Sequence, residues 1–301
     1  MDAVAVIDRD HEVELLVAGL DSGAHVLLEG PPGTGKTTLL RSVARAEHRP
    51  FVFVEGNAEL TPGRLIGHFD PAQVLSAGYN SDTFIDGPLV EAMRTGALLY
   101  VEEINRIPEE TLNVLITVMS EAELHVPRLG QVTAESDFRL VAAMNPFDAV
   151  GTARISSAIY DRVCLITMGY QTATAETSVV RSRAPEVPDG WRASVVELVR
   201  RTRSHPDVRV GSSVRGAIDL TRLTVALAHR RSTEVTDWHA GLDAAVVALS
   251  GRVRLHESSD RTAGAVVREL YEAVFGPEPR SEDARERDDA GGDAPGGARA
   301  R

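Results

Sequence analysis

The chain has 301 residues, 43% of them hydrophobic, and a formal net charge of −12. That length and apolar content suffice for a large core and about two domains, while the acidic balance argues against binding nucleic acid through bulk electrostatics. A single cysteine, Cys164, excludes an intramolecular disulfide framework and fits a reducing compartment. No apolar run approaches the roughly 18 residues of a membrane span, and Met1–Asp10 has neither the basic start nor the apolar stretch of an export signal, so a cytoplasmic protein is expected.

In chain order, the first strong signal is the short β-prone run His25–Glu29, followed by Gly30-Pro31-Pro32-Gly33-Thr34-Gly35-Lys36-Thr37 and then by Leu39, Leu40 and Val43 at helical spacing. The middle segment matches G-x-x-x-x-G-K-[ST] in its required strand–loop–helix setting. Glycines let backbone N–H groups turn inward around phosphates, Lys36 reaches the β- and γ-phosphates, and the Thr37 hydroxyl meets a magnesium ion. The helix starting there directs its positive dipole end at the anion. The chain is therefore expected to bind a nucleoside triphosphate through Gly30, Pro31, Pro32, Gly33, Thr34, Gly35, Lys36, Thr37 and Thr38.

Further strand-like runs are Phe51–Val54, Leu98–Val101, Phe138–Met144 and Val163–Thr167. Their near-continuous apolar character predicts a parallel sheet covered on both faces, hence an α/β fold. The run Leu98–Val101 ends in Glu102 and Glu103, so it delivers two carboxylates to its C-terminal end, where open α/β sheets bind ligands. Glu102 is expected to hold the magnesium shell. Glu103 is expected to orient, or take a proton from, the water that attacks the γ-phosphate. After Ile107 a helix is predicted, with Pro108 in its first turn, Glu109 and Glu110 at its positive end, and Leu112, Leu115, Ile116 and Met119 on one face. Asn145 leaves the strand Phe138–Met144 ahead of Pro146 and is a candidate to hold the attacking water or touch the γ-phosphate.

Beyond about residue 185 no strands are predicted. Ala193–Ser204, Ser213–Arg230, Thr236–Arg252 and Arg261–Phe275 read as amphipathic helices, with Arg183–Gly190 as the connection leading to them. The predicted organisation is an α/β core over 1–184, a helical domain over 185–276 and a disordered tail over 277–301, which lacks apolar residues to offset its ordering entropy. Cys164 is expected to be a small buried hydrophobe. Trp191 and Trp238 are expected to serve packing. His205, His229, His239 and His256 show no metal-ligand spacing.

Taken together, the phosphate loop, Asp86-Gly87-Pro88-Leu89 leading into Leu98–Arg106, Met144-Asn145-Pro146, Ala158–Arg162 and Gly211–Ala217 resemble the MoxR-like group of AAA+ ATPases over roughly residues 4–255. The resemblance implies an α/β P-loop NTPase core with a C-terminal all-α lid. It also implies a homo-oligomeric ring, usually of six subunits, with ATP and Mg2+ between neighbours. By position, Lys36 and Thr37 correspond to Walker A, Glu102 and Glu103 to Walker B, Asn145 to sensor 1 and Arg215 to sensor 2. Arg162 corresponds to the arginine finger presented to the neighbour's γ-phosphate. Where Glu102 stands the pattern usually has aspartate.

Val6–Arg9 resembles the segment that covers the adenine, which makes Ile7 a nucleotide contact, with Asp8 in place of the usual glycine. Ala58–Asp86 and Leu124–Asp137 fall where the family carries β-hairpin inserts, and Asn57 is positioned to restrain Glu103. The function implied is chaperone-like: ATP-driven remodelling of a protein complex, with a von Willebrand factor A-type protein as partner. A DNA-directed motor is the alternative, disfavoured by the negative charge. A small-molecule kinase or GTPase is disfavoured by the tandem acids and by the lack of an Asn-Lys-x-Asp signature.

Overall fold

The computed structural model describes residues 7–146 and 156–279. The chain divides into two compact units, Met1–Thr172 and Ala173–Arg301. The first begins with α1 (Asp10–Asp21), β1 (His25–Glu29), α2 (Lys36–Ala46) and β2 (Phe51–Glu55). Next come α3 (Pro62–Ile66), β3 (Gly67–Phe69), α4 (Pro71–Ala77), β4 (Phe84–Asp86), α5 (Pro88–Thr95) and β5 (Leu98–Glu102). It continues through α6 (Glu109–Glu121), β6 (Glu123–Val126), β7 (Gly130–Thr133), β8 (Arg139–Met144), α7 (Ser157–Tyr160) and β9 (Val163–Thr167).

Five of these strands form one sheet in the order β2-β5-β8-β1-β9, with every neighbouring pair parallel. Side chains alternate between its faces, as the period of two requires. Val26, Leu28, Leu98, Tyr100, Val141 and Ala143 pack with α1 and α2, whereas Leu27, Leu99, Val101, Leu140 and Ala142 pack with α5 and α6. Both faces are thus covered, which explains the unbroken apolar runs in the sequence. Edge strand β9 is the exception. Within it only Ile166 is buried, so Cys164 is exposed rather than a buried hydrophobe.

One half-buried polar group ties β1 to β8. His25 Nδ1 accepts a hydrogen bond from the Leu140 amide at 2.9 Å. Burial, with the Arg139 charge nearby as a lesser cause, lowers the His25 pKa from 6.5 to about 4. The folded state therefore favours the neutral ring. Its contribution to stability is complete above the unfolded pKa of 6.5 and is lost as pH falls toward 4, by roughly 3 kcal/mol in total. Urea titrations followed by circular dichroism should show this loss between pH 6.5 and 4, and His25→Gln should flatten the acid limb relative to wild type.

The segment expected as a hairpin over Ala58–Asp86 does pair antiparallel, Gly67–Phe69 with Phe84–Asp86, but it encloses a short helix that the pattern did not predict. Asp70 caps that helix by accepting from the Ala72 amide at 2.8 Å, and Pro71 occupies its first turn. α4 buries none of its residues, and Leu75 is 91% exposed, so no apolar stripe announced it. Glu123–Val126 and Gly130–Thr133 form a plain hairpin.

The second unit comprises α8 (Ala173–Arg183), α9 (Asp189–Arg201), β10 (Val208–Val210), α10 (Val214–Arg231), α11 (Trp238–Leu249), β11 (Arg254–Leu255) and α12 (Ala263–Phe275). Two expectations are corrected here. Strands do not stop at 185, because Val208–Val210 pairs antiparallel with Arg254–Leu255. The division falls after Thr172 rather than 184, because α8 belongs to the helical unit's core. Its Val180 is fully buried there, and its Glu176 binds Arg200 at 3.1 Å and Arg203 at 2.6 Å.

The proline-containing stretch before α9 is an ordered part of that unit, held by Arg192 donating to the carbonyls of Val187 at 2.7 Å and Pro185 at 3.4 Å. Trp191 packs against Phe275, and Trp238 donates to the Gly276 carbonyl at 3.0 Å. Among the described residues no helix is long and apolar enough to cross a membrane. The expected tail over 277–301 falls, from residue 280 onward, outside the described residues, as does Val6.

Candidate nucleotide-binding site

The loop Gly30–Gly35 leaves the C-terminal end of β1, which lies between β8 and the edge strand β9, and turns directly into α2. Gly35 caps that helix with φ +91, a left-handed conformation that suits glycine. Gly30 meets a different constraint, since a Cβ there would lie 2.2 Å from the Met168 carbonyl oxygen. Its own amide bonds the Met144 carbonyl at 3.2 Å, so the loop's first residue is seated between the ends of β8 and β9. Thr34 is buried, and its hydroxyl donates to the Pro31 carbonyl at 2.9 Å. Pro32 and Thr38 are exposed.

Lys36 is the sole lysine among the chain's 32 basic residues. Arginine serves everywhere else, so the one position that keeps a compact ammonium is the one where a point charge has to enter a phosphate cradle. Its Nζ lies folded over the loop, donating to Gly30 at 2.7 Å and Pro31 at 3.0 Å.

Beside the loop, the Thr37 hydroxyl donates to Glu102 Oε1 at 2.9 Å and lies 3.3 Å from the Tyr100 hydroxyl. The longer glutamate thus still reaches the threonine, with one strand, β8, between β5 and β1. A hydroxyl and a carboxylate oxygen are the hard donors that a magnesium ion takes, so these residues fit that ion. Glu103 follows β5 at φ +54 and ψ +44. A non-glycine residue in that region costs on the order of 1 kcal/mol or more, and such positions cluster at functional sites. Its carboxylate pairs with Arg106 Nε at 3.0 Å, on a partly exposed surface. Asn57, expected to restrain Glu103, uses its side chain on its own turn, donating to Glu55 at 3.2 Å and accepting from Glu59 at 2.9 Å.

Asn145 directly follows Met144, which is in register with Glu29, so it stands at the same sheet end as the loop and is half-buried. Arg162 does not. It precedes Val163, which is in register with His25 at the other end of β1, and about six residues of strand rise, roughly 20 Å, separate that level from Gly30. There it donates to Ser120 and, at 2.8 Å, to the Ala158 carbonyl. Arg215 sits in the first turn of α10 in the second unit and is exposed.

Ile7 is half-buried, and its carbonyl accepts from the Gln171 side chain. Asp8 adopts φ +56, which explains why glycine is usual there, and its carboxylate accepts from the Thr172 hydroxyl at 2.8 Å. Two residues at the site had no role of their own in the sequence reading: Tyr100, which looked like one more apolar strand position, and Arg9, placed there only as the end of the Val6–Arg9 segment. Arg9 is 5% exposed and contacts the loop.

This strand order, with a phosphate loop after β1 and acids after β5, defines a P-loop NTPase of the AAA+ class. Residues 25–163 match the AAA domain (dynein-related subfamily). The chain is 31% identical over 209 residues to the gas vesicle ATPase GvpN of Haloferax mediterranei, a match covering 64% of this chain and 60% of that protein. It is 28% identical over 313 residues to YeaC of Bacillus subtilis, covering 93% and 94% of the two chains. Among solved structures, a mutant of Thermotoga maritima RuvB superposes with a TM-score of 0.55 at 19% identity, covering 82% of this chain and 72% of that one, a likeness of fold alone. These matches are consistent with the MoxR-like AAA+ resemblance carried by the sequence motifs.

Proposed function

We propose that the protein hydrolyses ATP to ADP and phosphate as a magnesium-dependent AAA+ ATPase, and that it works as a chaperone-like ring that remodels or matures a protein complex. The observation that carries the reading is the 2.9 Å contact from Thr37 to Glu102, which joins the phosphate loop to the acidic end of β5. The gas vesicle relatives are named ATPases, which supports it.

In this reading Lys36 swings from the loop carbonyls onto the β- and γ-phosphates, and Thr37 and Glu102 would hold magnesium, which supplies charge neutralisation when bound. Glu103 accepts the proton of the attacking water as its oxygen bonds to the γ-phosphorus and the bond to the bridging β–γ oxygen breaks. Asn145 holds that water, Ile7 lies against the adenine, and Arg215 senses the γ-phosphate from the helical lid. The roughly 20 Å between Arg162 and its own loop favours a role in trans, at the site of a neighbouring subunit. We place the assembly in the cytoplasm as a homo-oligomer, on the family pattern a hexamer, with a von Willebrand factor A-type adaptor as partner and a protein as client.

Complementation tests the reading. Lys36→Ala and Arg162→Ala proteins should each lose nearly all turnover, and mixing them should restore activity above that of either alone. No restoration in rings shown to be mixed would remove Arg162 from the finger role. Wild-type protein that neither binds nor cleaves ATP would overturn the reading itself, and stimulation by DNA in place of a protein partner would overturn the choice of client.

A further inference from the structure

Arg9 lies outside the assignments above, yet it is the basic side chain most intimately built into the loop after Lys36. It is 5% exposed, and one terminal nitrogen serves two carbonyls at once, Thr34 at 3.2 Å and Gly169 at 2.6 Å. The other terminal nitrogen pairs with Glu12 in the first turn of α1, and Nε is buried without a partner. A guanidinium is not buried in this way merely to decorate a turn, because desolvating it is costly unless its contacts are specific.

Both carbonyls carry information. Thr34 C=O is the outward side of the peptide whose inward side is the Gly35 N–H, one of the donors that line a phosphate loop. A cation on the carbonyl polarises that peptide and strengthens its N–H toward an anion. Gly169 opens Gly169–Thr172, the last residues before the chain passes into the helical unit at Ala173. The two residues before Arg9 hold the same stretch, since Gln171 donates to Ile7 and Thr172 donates to Asp8. The segment Ile7–Arg9 is thus a strap with one end on the phosphate loop and the other on the exit from the α/β unit.

Building on the ATP-binding reading, we propose that Arg9 is a positioning residue that couples nucleotide occupancy of the phosphate loop to the Gly169–Thr172 segment. Phosphates drawing on the Gly35 N–H tighten the Thr34–Arg9 bond, and the same nitrogen holds Gly169, so filling the loop orders the exit.

Hydrogen exchange on the full chain, with and without saturating Mg·ADP, tests this in peptides covering 30–38 and 169–172. In wild type, nucleotide should slow exchange in both, at 169–172 by about tenfold, within the usual range of coupling between sites. In Arg9→Gln at saturating nucleotide, the loop should still be protected while slowing at 169–172 falls below about twofold, and Arg9→Lys should recover part of it, since a single nitrogen makes both contacts. Full protection of 169–172 in Arg9→Gln would overturn the coupling. So would wild-type protein that binds nucleotide and protects its loop but not 169–172, a measurement that does not depend on either variant folding. Failure of wild type to bind Mg·ADP at all would instead sink the ATP-binding reading.

Discussion

Glu103→Gln should bind ATP with near-normal affinity and turn it over about 10²- to 10⁴-fold more slowly, the usual contribution of a positioned general base. The substitution keeps the side chain's shape and its capacity to hydrogen-bond, so the water can still be held; what is lost is a group able to take its proton. Stability should barely change. The ion pair given up, Glu103 with Arg106, has side chains 36% and 42% exposed, and pairs of that kind contribute little. The left-handed backbone at φ +54 is as tolerable for glutamine as for glutamate. Single-turnover kinetics with equilibrium binding would separate the two effects. Normal turnover would show that the base lies elsewhere and that the conformation at the end of β5 has another cause. The trapped ATP-bound state would also be the form with which to capture a protein client.

Glu176→Ala should destabilise the helical unit by about 3–5 kcal/mol, the typical cost of removing one partner from a buried ion pair. The Glu176 side chain is 3% exposed and sits between Arg200 and Arg203, of which Arg203 is itself only 13% exposed. Without the carboxylate, two cations face each other with one of them shut away from water. Arg203 also donates to the Ser212 carbonyl, at 2.7 Å, a neutral acceptor that does not balance its charge. Both tryptophans of the chain, Trp191 and Trp238, lie in this unit, so intrinsic fluorescence follows its unfolding alone. A drop in the midpoint of about 13–20 °C is expected. A shift of only a degree or two would mean that the arginines relax into solvent and that the pair is not what holds α8 to α9.

What could be read from the residues themselves was whatever depends on short spacing or on period. The phosphate loop is eight consecutive residues whose chemistry is local. The strands announced themselves because both faces of a central parallel strand are apolar, as Val26, Leu27 and Leu28 show. The acids after Leu98–Val101 could be assigned to the ligand end because a parallel sheet puts all its C-terminal ends together. Misreadings came where the outcome hangs on distant partners. Cys164 looked buried because its neighbours are apolar, but β9 is an edge and its apolar residues are not covered. The boundary was set at two prolines, whereas α8 follows the partners of Glu176 and Val180 into the second unit. Leu75 stands on a helix held by its Asp70 cap, not by burial.

By itself, then, the sequence determined that this is a parallel α/β protein with a phosphate loop, that a pair of acids and an asparagine leave neighbouring strands, and that helices follow. Each of these is a property of a few adjacent residues. Only the tertiary structure decided that Thr37 meets Glu102, that Arg162 stands at the far end of the sheet from its own loop, and that Arg9 holds both Thr34 and, 160 residues further along the chain, Gly169. Those pairings follow from strand order and register, which the chain settles only when the sheet closes its core, and no local pattern encodes them.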